Sequence, residues 1–119
     1  MASRSSPLPS TPAAKARIAR DLDATVERMR ELHRRGVRVL PGGDYGFKWN
    51  PHGRNARDLQ LFVELLGFTP MQALIAATKW GGEIMGMAQE LGQVRKGYLA
   101  DLLLVDGDQI GRASCRERV

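Results

Sequence analysis

Residues 37–58, VRVLPGGDYGFKWNPHGRNARD, decide how this chain is read. Val37, Val39 and Leu40 form a short apolar run with β-branched members, and Pro41-Gly42-Gly43 stops it abruptly, the pattern of a buried strand that ends at a surface. Asp44 follows at once. In α/β folds a carboxylate just past the carboxyl end of a strand stands where loops converge on one mouth, which is where such folds keep their chemistry. The alternative is that Asp44 only caps a Gly-rich turn.

Downstream, Tyr45, Phe47 and Trp49 are interleaved with Gly46 and Lys48. Aromatics in a Gly-bearing loop can wall a substrate pocket, or pack among themselves. His52, between Pro51 and Gly53, is fixed in a loop and can orient a substrate carboxylate or carbonyl. Arg54 can clamp a carboxylate with two parallel N–H bonds. A plain surface role for either residue is the competing reading.

Upstream, Thr11-Pro12 reads as a helix start, a hydroxyl that accepts an orphan N–H followed by proline at the first helical position. The helix is expected to run to Arg35 and stop at Gly36. Ile18, Leu22, Val26, Met29 and Leu32 make its apolar stripe, while His33, among Arg34 and Arg35, reads as a solvated last-turn residue favoured by the helix dipole. After the central stretch, Asn55 is the expected N-cap of a helix over residues 56–66 with Leu59, Phe62, Val63 and Leu66 inside. Thr69-Pro70 opens the next, with Met71, Leu74, Ile75 and Thr78 inward up to Trp80, and Gly81-Gly82 as its break before a short turn of helix over 83–86. The Met and aromatic positions on these helices read as core. Residues 91–94 and a turn at Lys96-Gly97 then lead to LADLLLVD, a continuous apolar run of the kind a buried strand shows.

These segments together carry a resemblance. GVRVLPGGDYGF, PHGRNARDLQLFVELLGFTPMQALIAAT, GGEIMG and LGQVRKGYLADLLLVDGD are similar, in order, to the C-terminal part of metal-dependent amidohydrolases of the imidazolonepropionase and prolidase-like branch. The likeness runs over residues 18–108. It implies an α/β fold: residues 11–90 as the closing helix-strand-helix units of a (β/α)8 TIM barrel, residues 37–44 as its eighth strand, and residues 91–109 as a strand segment returning to an accessory β-sandwich. It also implies that Asp44 contacts a catalytic divalent metal, zinc above all, and shuttles the proton of its bound water. Tyr45, His52 and Arg54 then belong to the substrate side. The family's His-x-His pair, bridging lysine and further single histidines have no counterpart here, since the chain has two histidines, His33 and His52. A complete barrel takes about 250 residues, so the expectation is a fragment, inactive alone, of a hydrolase acting on amide, peptide-like or cyclic-amide substrates.

Composition narrows the rivals. The net charge is +5, yet residues 1–20 hold four basic groups and no acid, and residues 110–119 three basic groups and one acid, leaving residues 21–109 at −1. The part carrying the family pattern therefore has no cationic surplus for phosphates, and no nucleic-acid partner is expected. No stretch reaches membrane-spanning length, so no membrane partner is expected either. Cys115 is the only cysteine, which suits a reducing, cytoplasmic setting. Its own segment, IGRASCRERV at 110–119, resembles one reading frame of a common short-read sequencing adapter. It is read as an appended tail without chemistry, the alternative being a natural basic tail. Residues 1–10, rich in Ser and Pro, read as a disordered or spurious leader. A small basic helical module that binds a partner through the Ile18–Leu32 face is the competing class, and assembly into a homo-oligomer stays open.

Overall fold

Thr11 opens the first helix as its chemistry dictates: its hydroxyl accepts from the Ala14 N–H (3.3 Å) and Pro12 occupies the first helical position. The structure, a computed structural model, describes residues 11–48, 50–105 and 107. Helix α1 spans Pro12–Arg34, α2 Arg57–Glu64, α3 Pro70–Ala77 and α4 Lys79–Ile84. The leader at 1–10, the tail at 110–119 and Trp49 lie outside the described residues.

The core gathers where α2 and α3 meet the end of the run at 37–40. Val39, Phe62, Phe68, Ala73 and Ala76 are buried there, with Met29, Leu59, Val63, Leu66 and Trp80 packed around them. Phe68 follows the left-handed Gly67 that ends α2, and its N–H closes back on the Phe62 carbonyl (3.1 Å). That turn delivers its ring against Phe62 at 4.9 Å between centroids. Thr69 then starts α3 with a reciprocal cap, its hydroxyl accepting from the Gln72 N–H (3.2 Å) and its own N–H donating to the Gln72 side chain (2.8 Å). α1 joins this unit through Met29 and through Arg30, whose Nε donates to the Leu65 carbonyl (2.6 Å).

Several expectations are corrected. Residues 37–40 and 99–105 are outside any helix, yet no strand forms among the described residues, where the only pairing is an isolated bridge between Phe47 and Asn50. A strand exists only through a ladder to a neighbour, and the described residues give these runs no neighbour. His33 is half-buried rather than fully solvated: its ring stacks on Phe68 at 3.7 Å and 13°. Asn55 does not cap α2. A tight turn comes first, with Arg57, Asp58 and Leu59 donating to the carbonyls of Arg54, Asn55 and Ala56, and the cap position falls on Ala56 without a side-chain bond.

The α3 face is also shifted. Ala73 and Ala76 are inside, whereas Met71 and Thr78 are exposed, as are Ile84 and Met85 farther on. The break between helices falls at Thr78, with Gly81 and Gly82 inside α4. A close backbone approach occupies that junction. A Cβ on Gly92 would come within 2.8 Å of the Thr78 carbonyl carbon, and one on Gly82 within 3.0 Å of the Leu91 carbonyl carbon. Residues 91–92 thus lie directly against the α3–α4 junction, which only glycines permit. The turn at Lys96-Gly97 forms as expected, with the Tyr98 N–H on the Arg95 carbonyl (3.1 Å).

Candidate active site

Val39 is buried against the helices, and Pro41-Gly42-Gly43-Asp44, which follows it, shares a lining with Ala56 and Asp58 at the start of α2. A cavity of about 470 Å³ opens at this point. Gly42, Gly43, Asp44, Tyr45, His52 and Asp58 line it together with Leu59 and Ala77. Three of the four residues singled out from sequence therefore share one wall. Arg54 is not among the lining residues; it is exposed, and its backbone carbonyl faces the Tyr45 hydroxyl (3.2 Å).

Asp44 has φ +48°, and among the described residues it is the one non-glycine in the left-handed region. Asp and Asn tolerate that region better than other side chains, yet it is sparsely populated, and such outliers cluster where geometry serves function. Two contacts hold the neighbourhood. The Asn50 side-chain amide donates to the Gly43 carbonyl and, at 3.5 Å, to the Asp44 carbonyl. The backbone of Asn50 closes the same loop, accepting from the Gly46 N–H (2.9 Å) and donating to the Phe47 carbonyl (3.0 Å).

On the other side, Tyr45 folds back over the backbone. A Cβ at Gly43 would lie 2.9 Å from the Tyr45 Cζ and 3.0 Å from Asp58 Oδ2, so the bare α-carbon makes room for both. The Tyr45 hydroxyl donates to Asp58 Oδ1 at 2.6 Å, in preference to the longer Arg54 contact, because it has a single proton. That hydrogen bond, followed by burial and by the Asp58 charge, raises the Tyr45 pKa above its ordinary value, while Arg57 and Arg54 pull the other way. Asp58 itself sits in the first turn of α2, where a carboxylate complements the helix dipole. His52 lies over Gly46, whose Cβ would approach its Nε2 to 3.1 Å.

Sequence reasoning missed Asn50 and Asp58. Asn50-Pro51 carries a turn signal and Asp58 an N-terminal helix signal, and both local explanations were sufficient in themselves. Among the described residues no three His, Cys, Asp or Glu side chains are grouped as metal ligands. A catalytic zinc takes three protein ligands and an open position, so Asp44 and His52 do not by themselves fit a metal centre.

The amidohydrolase family model matches residues 3–117. The chain belongs to the amidohydrolase family. This family is generally metal-dependent. Within it, the chain is similar to the imidazolonepropionase of Rubrobacter xylanophilus, 42% identical over 48 residues, which cover 40% of this chain and 12% of that protein. It is also similar to a solved structure from Bifidobacterium longum assigned as a prolidase. That match has a TM-score of 0.71 and 33% identity over 74% of this chain and 22% of the other. The chain thus spans well under a third of either relative, and the structural likeness is consistent with a segment of a TIM-barrel superfamily. Among the described residues no helix is long and apolar enough to cross a membrane.

Proposed function

We propose that this chain supplies the acid–base carboxylate, Asp44, of a metal-dependent hydrolase that cleaves carbon–nitrogen bonds in small amides, peptides or cyclic amides. The observation that carries the reading is the position of Asp44: left-handed backbone, a few residues past the buried Val39, on the wall of a cavity in an amidohydrolase-family chain. The similarity to an imidazolonepropionase and to a protein assigned as a prolidase supports the bond type.

In this scheme the Asp44 carboxylate takes a proton from water as the water oxygen attacks the substrate carbonyl carbon. The same proton then passes to the nitrogen as the carbon–nitrogen bond breaks, so Asp44 acts first as base and then as acid and ends as it began. His52 is proposed to orient a substrate carbonyl or carboxylate from the same wall. Tyr45 contributes its ring, because its hydroxyl is engaged by Asp58. Arg54 receives no substrate contact, since its side chain is off the cavity wall. Zinc is the divalent ion proposed for the whole protein, and its ligand set is larger than the described residues provide.

The test is hydrolysis by the full-length protein carrying these residues, supplied with divalent ions and offered N-acyl amino acids, dipeptides and cyclic amides. Asp44→Asn is expected to lower kcat by at least about 10²-fold to 10⁴-fold, the usual contribution of general acid–base catalysis, with an unchanged circular dichroism spectrum. Near-normal turnover by Asp44→Asn rejects the assignment.

A further inference from the structure

We infer that Asn50 is a positioning residue that sets the direction of the Asp44 carboxylate by holding both peptide planes beside it. The inference rests on the acid–base reading of Asp44 and extends it to a residue which does not itself line the cavity.

The geometry is specific. The carbonyl of Gly43 belongs to the peptide plane that precedes the Asp44 α-carbon, and the carbonyl of Asp44 to the plane that follows it. The orientations of these planes about the α-carbon are the torsions φ and ψ of Asp44. In an extended residue successive carbonyls point in opposite directions, as along a strand; in a helical conformation of either hand they point roughly the same way. Asp44 has φ +48°, and the Asn50 side-chain NH2 reaches both the Gly43 and the Asp44 oxygens, which therefore lie on one side. A side-chain amide offers two N–H donors, as many as this double contact needs. The left-handed conformation and the bridging amide account for each other.

Asn50 is in turn held in place. Its backbone N–H and carbonyl close the loop on Phe47 and Gly46, so the side chain is presented from a fixed base. Tyr45, tied to Asp58 at the start of α2, limits movement on the other side. Among the described residues the Asn50 amide is the side-chain donor on these two carbonyls, so with the bridge removed Asp44 can return to the commoner negative-φ regions. Its carboxylate then leaves the position from which it serves the reacting water. Misplacement on the order of 1 Å costs about 10²-fold in rate.

The experiment has two readouts. Backbone chemical shifts and couplings of Asp44, measured by nuclear magnetic resonance in the unmodified chain, should report a positive φ; a negative φ overturns the inference without any variant. In the full-length protein, Asn50→Ala and Asn50→Asp are then compared with Asp44→Asn. Asn50→Asp keeps the size of the side chain but turns a donor into an acceptor facing two carbonyl oxygens. Both Asn50 variants should lower kcat about 10²-fold with KM within about twofold, with little change in melting temperature. In an Asp44→Asn background, Asn50→Ala should cause no further loss. Normal kcat in the Asn50 variants beside a dead Asp44→Asn overturns the positioning role and leaves the function standing. Active Asp44→Asn removes the function itself. A loss of kcat that adds fully to that of Asp44→Asn, or that tracks a fall in melting temperature, assigns Asn50 a structural role and overturns the inference.

Discussion

Residues 37–40 and 99–105 are both largely apolar runs outside any helix, yet Val39 is 8% exposed whereas Leu104 is 98% exposed. The difference lies in what comes next along the chain. α2 and α3 come after the first run along the chain and pack against it, so Val39 shares one buried cluster with Phe62, Phe68 and Ala76. For the second run, Leu102 and Leu103 are also largely exposed, and the described residues bring no element over them. An apolar run states that a segment is to be covered; it does not state by what. The cavity lies just past the run that is anchored. Asp44 stands at the anchored one.

The contrast can be broken most forcefully at the core. Phe68 packs against Phe62 on one side and His33 on the other, and Phe68→Ala should cost about 3–5 kcal/mol in chemical denaturation, the usual range for a buried aromatic. A cost below about 1 kcal/mol would mean that this core does not hold the first run in place.

A smaller effect is expected at the site itself. The folded-state pKa of Tyr45 is raised, so its bond to Asp58 contributes stability fully below the ordinary tyrosine value of about 10 and loses it as pH rises through the folded value. In a titration followed by tyrosinate absorbance, one tyrosine should ionise later than a free one, and Tyr45→Phe should abolish that late component. At neutral pH the same substitution should cost no more than about 1 kcal/mol, as the pair is only part-buried. Smallest of all is Leu104→Ser, which should shift stability by no more than about 0.5 kcal/mol because the side chain touches little. A large loss would show that the run at 99–105 is covered after all.

What was legible in the sequence was local chemistry. Thr11-Pro12 and Thr69-Pro70 start helices because hydroxyl and proline act within three residues of themselves. Gly36 and Gly67 follow helix ends in the left-handed conformation for the same reason. Asp44, Tyr45 and His52 could be placed in one loop cluster because the strand-like run and its Pro-Gly-Gly stop fixed where the loop begins. What was not legible depends on contacts between distant residues. The stacking of His33 on Phe68 joins positions far apart in sequence, and a helix-end histidine flanked by arginines gives no sign of it. The inward turn of Ala73 and Ala76, in place of Met71 and Thr78, puts them in the cluster with Val39, Phe62 and Phe68, positions distant in sequence. Asn50 and Asp58 act through atoms of Gly43, Asp44 and Tyr45, and their residue types alone describe a turn and a helix start.

Two carboxylates line the cavity, and the account assigns them different work: Asp44 to the proton, Asp58 to the Tyr45 hydroxyl. The most direct measurement is kcat for Asp44→Asn and Asp58→Asn, made side by side in the full-length protein. The account predicts that Asp44→Asn loses at least about 10²-fold while Asp58→Asn, which leaves an amide oxygen able to accept from Tyr45, retains most of its turnover. The reverse order, with Asp58→Asn inactive and Asp44→Asn active, would contradict it.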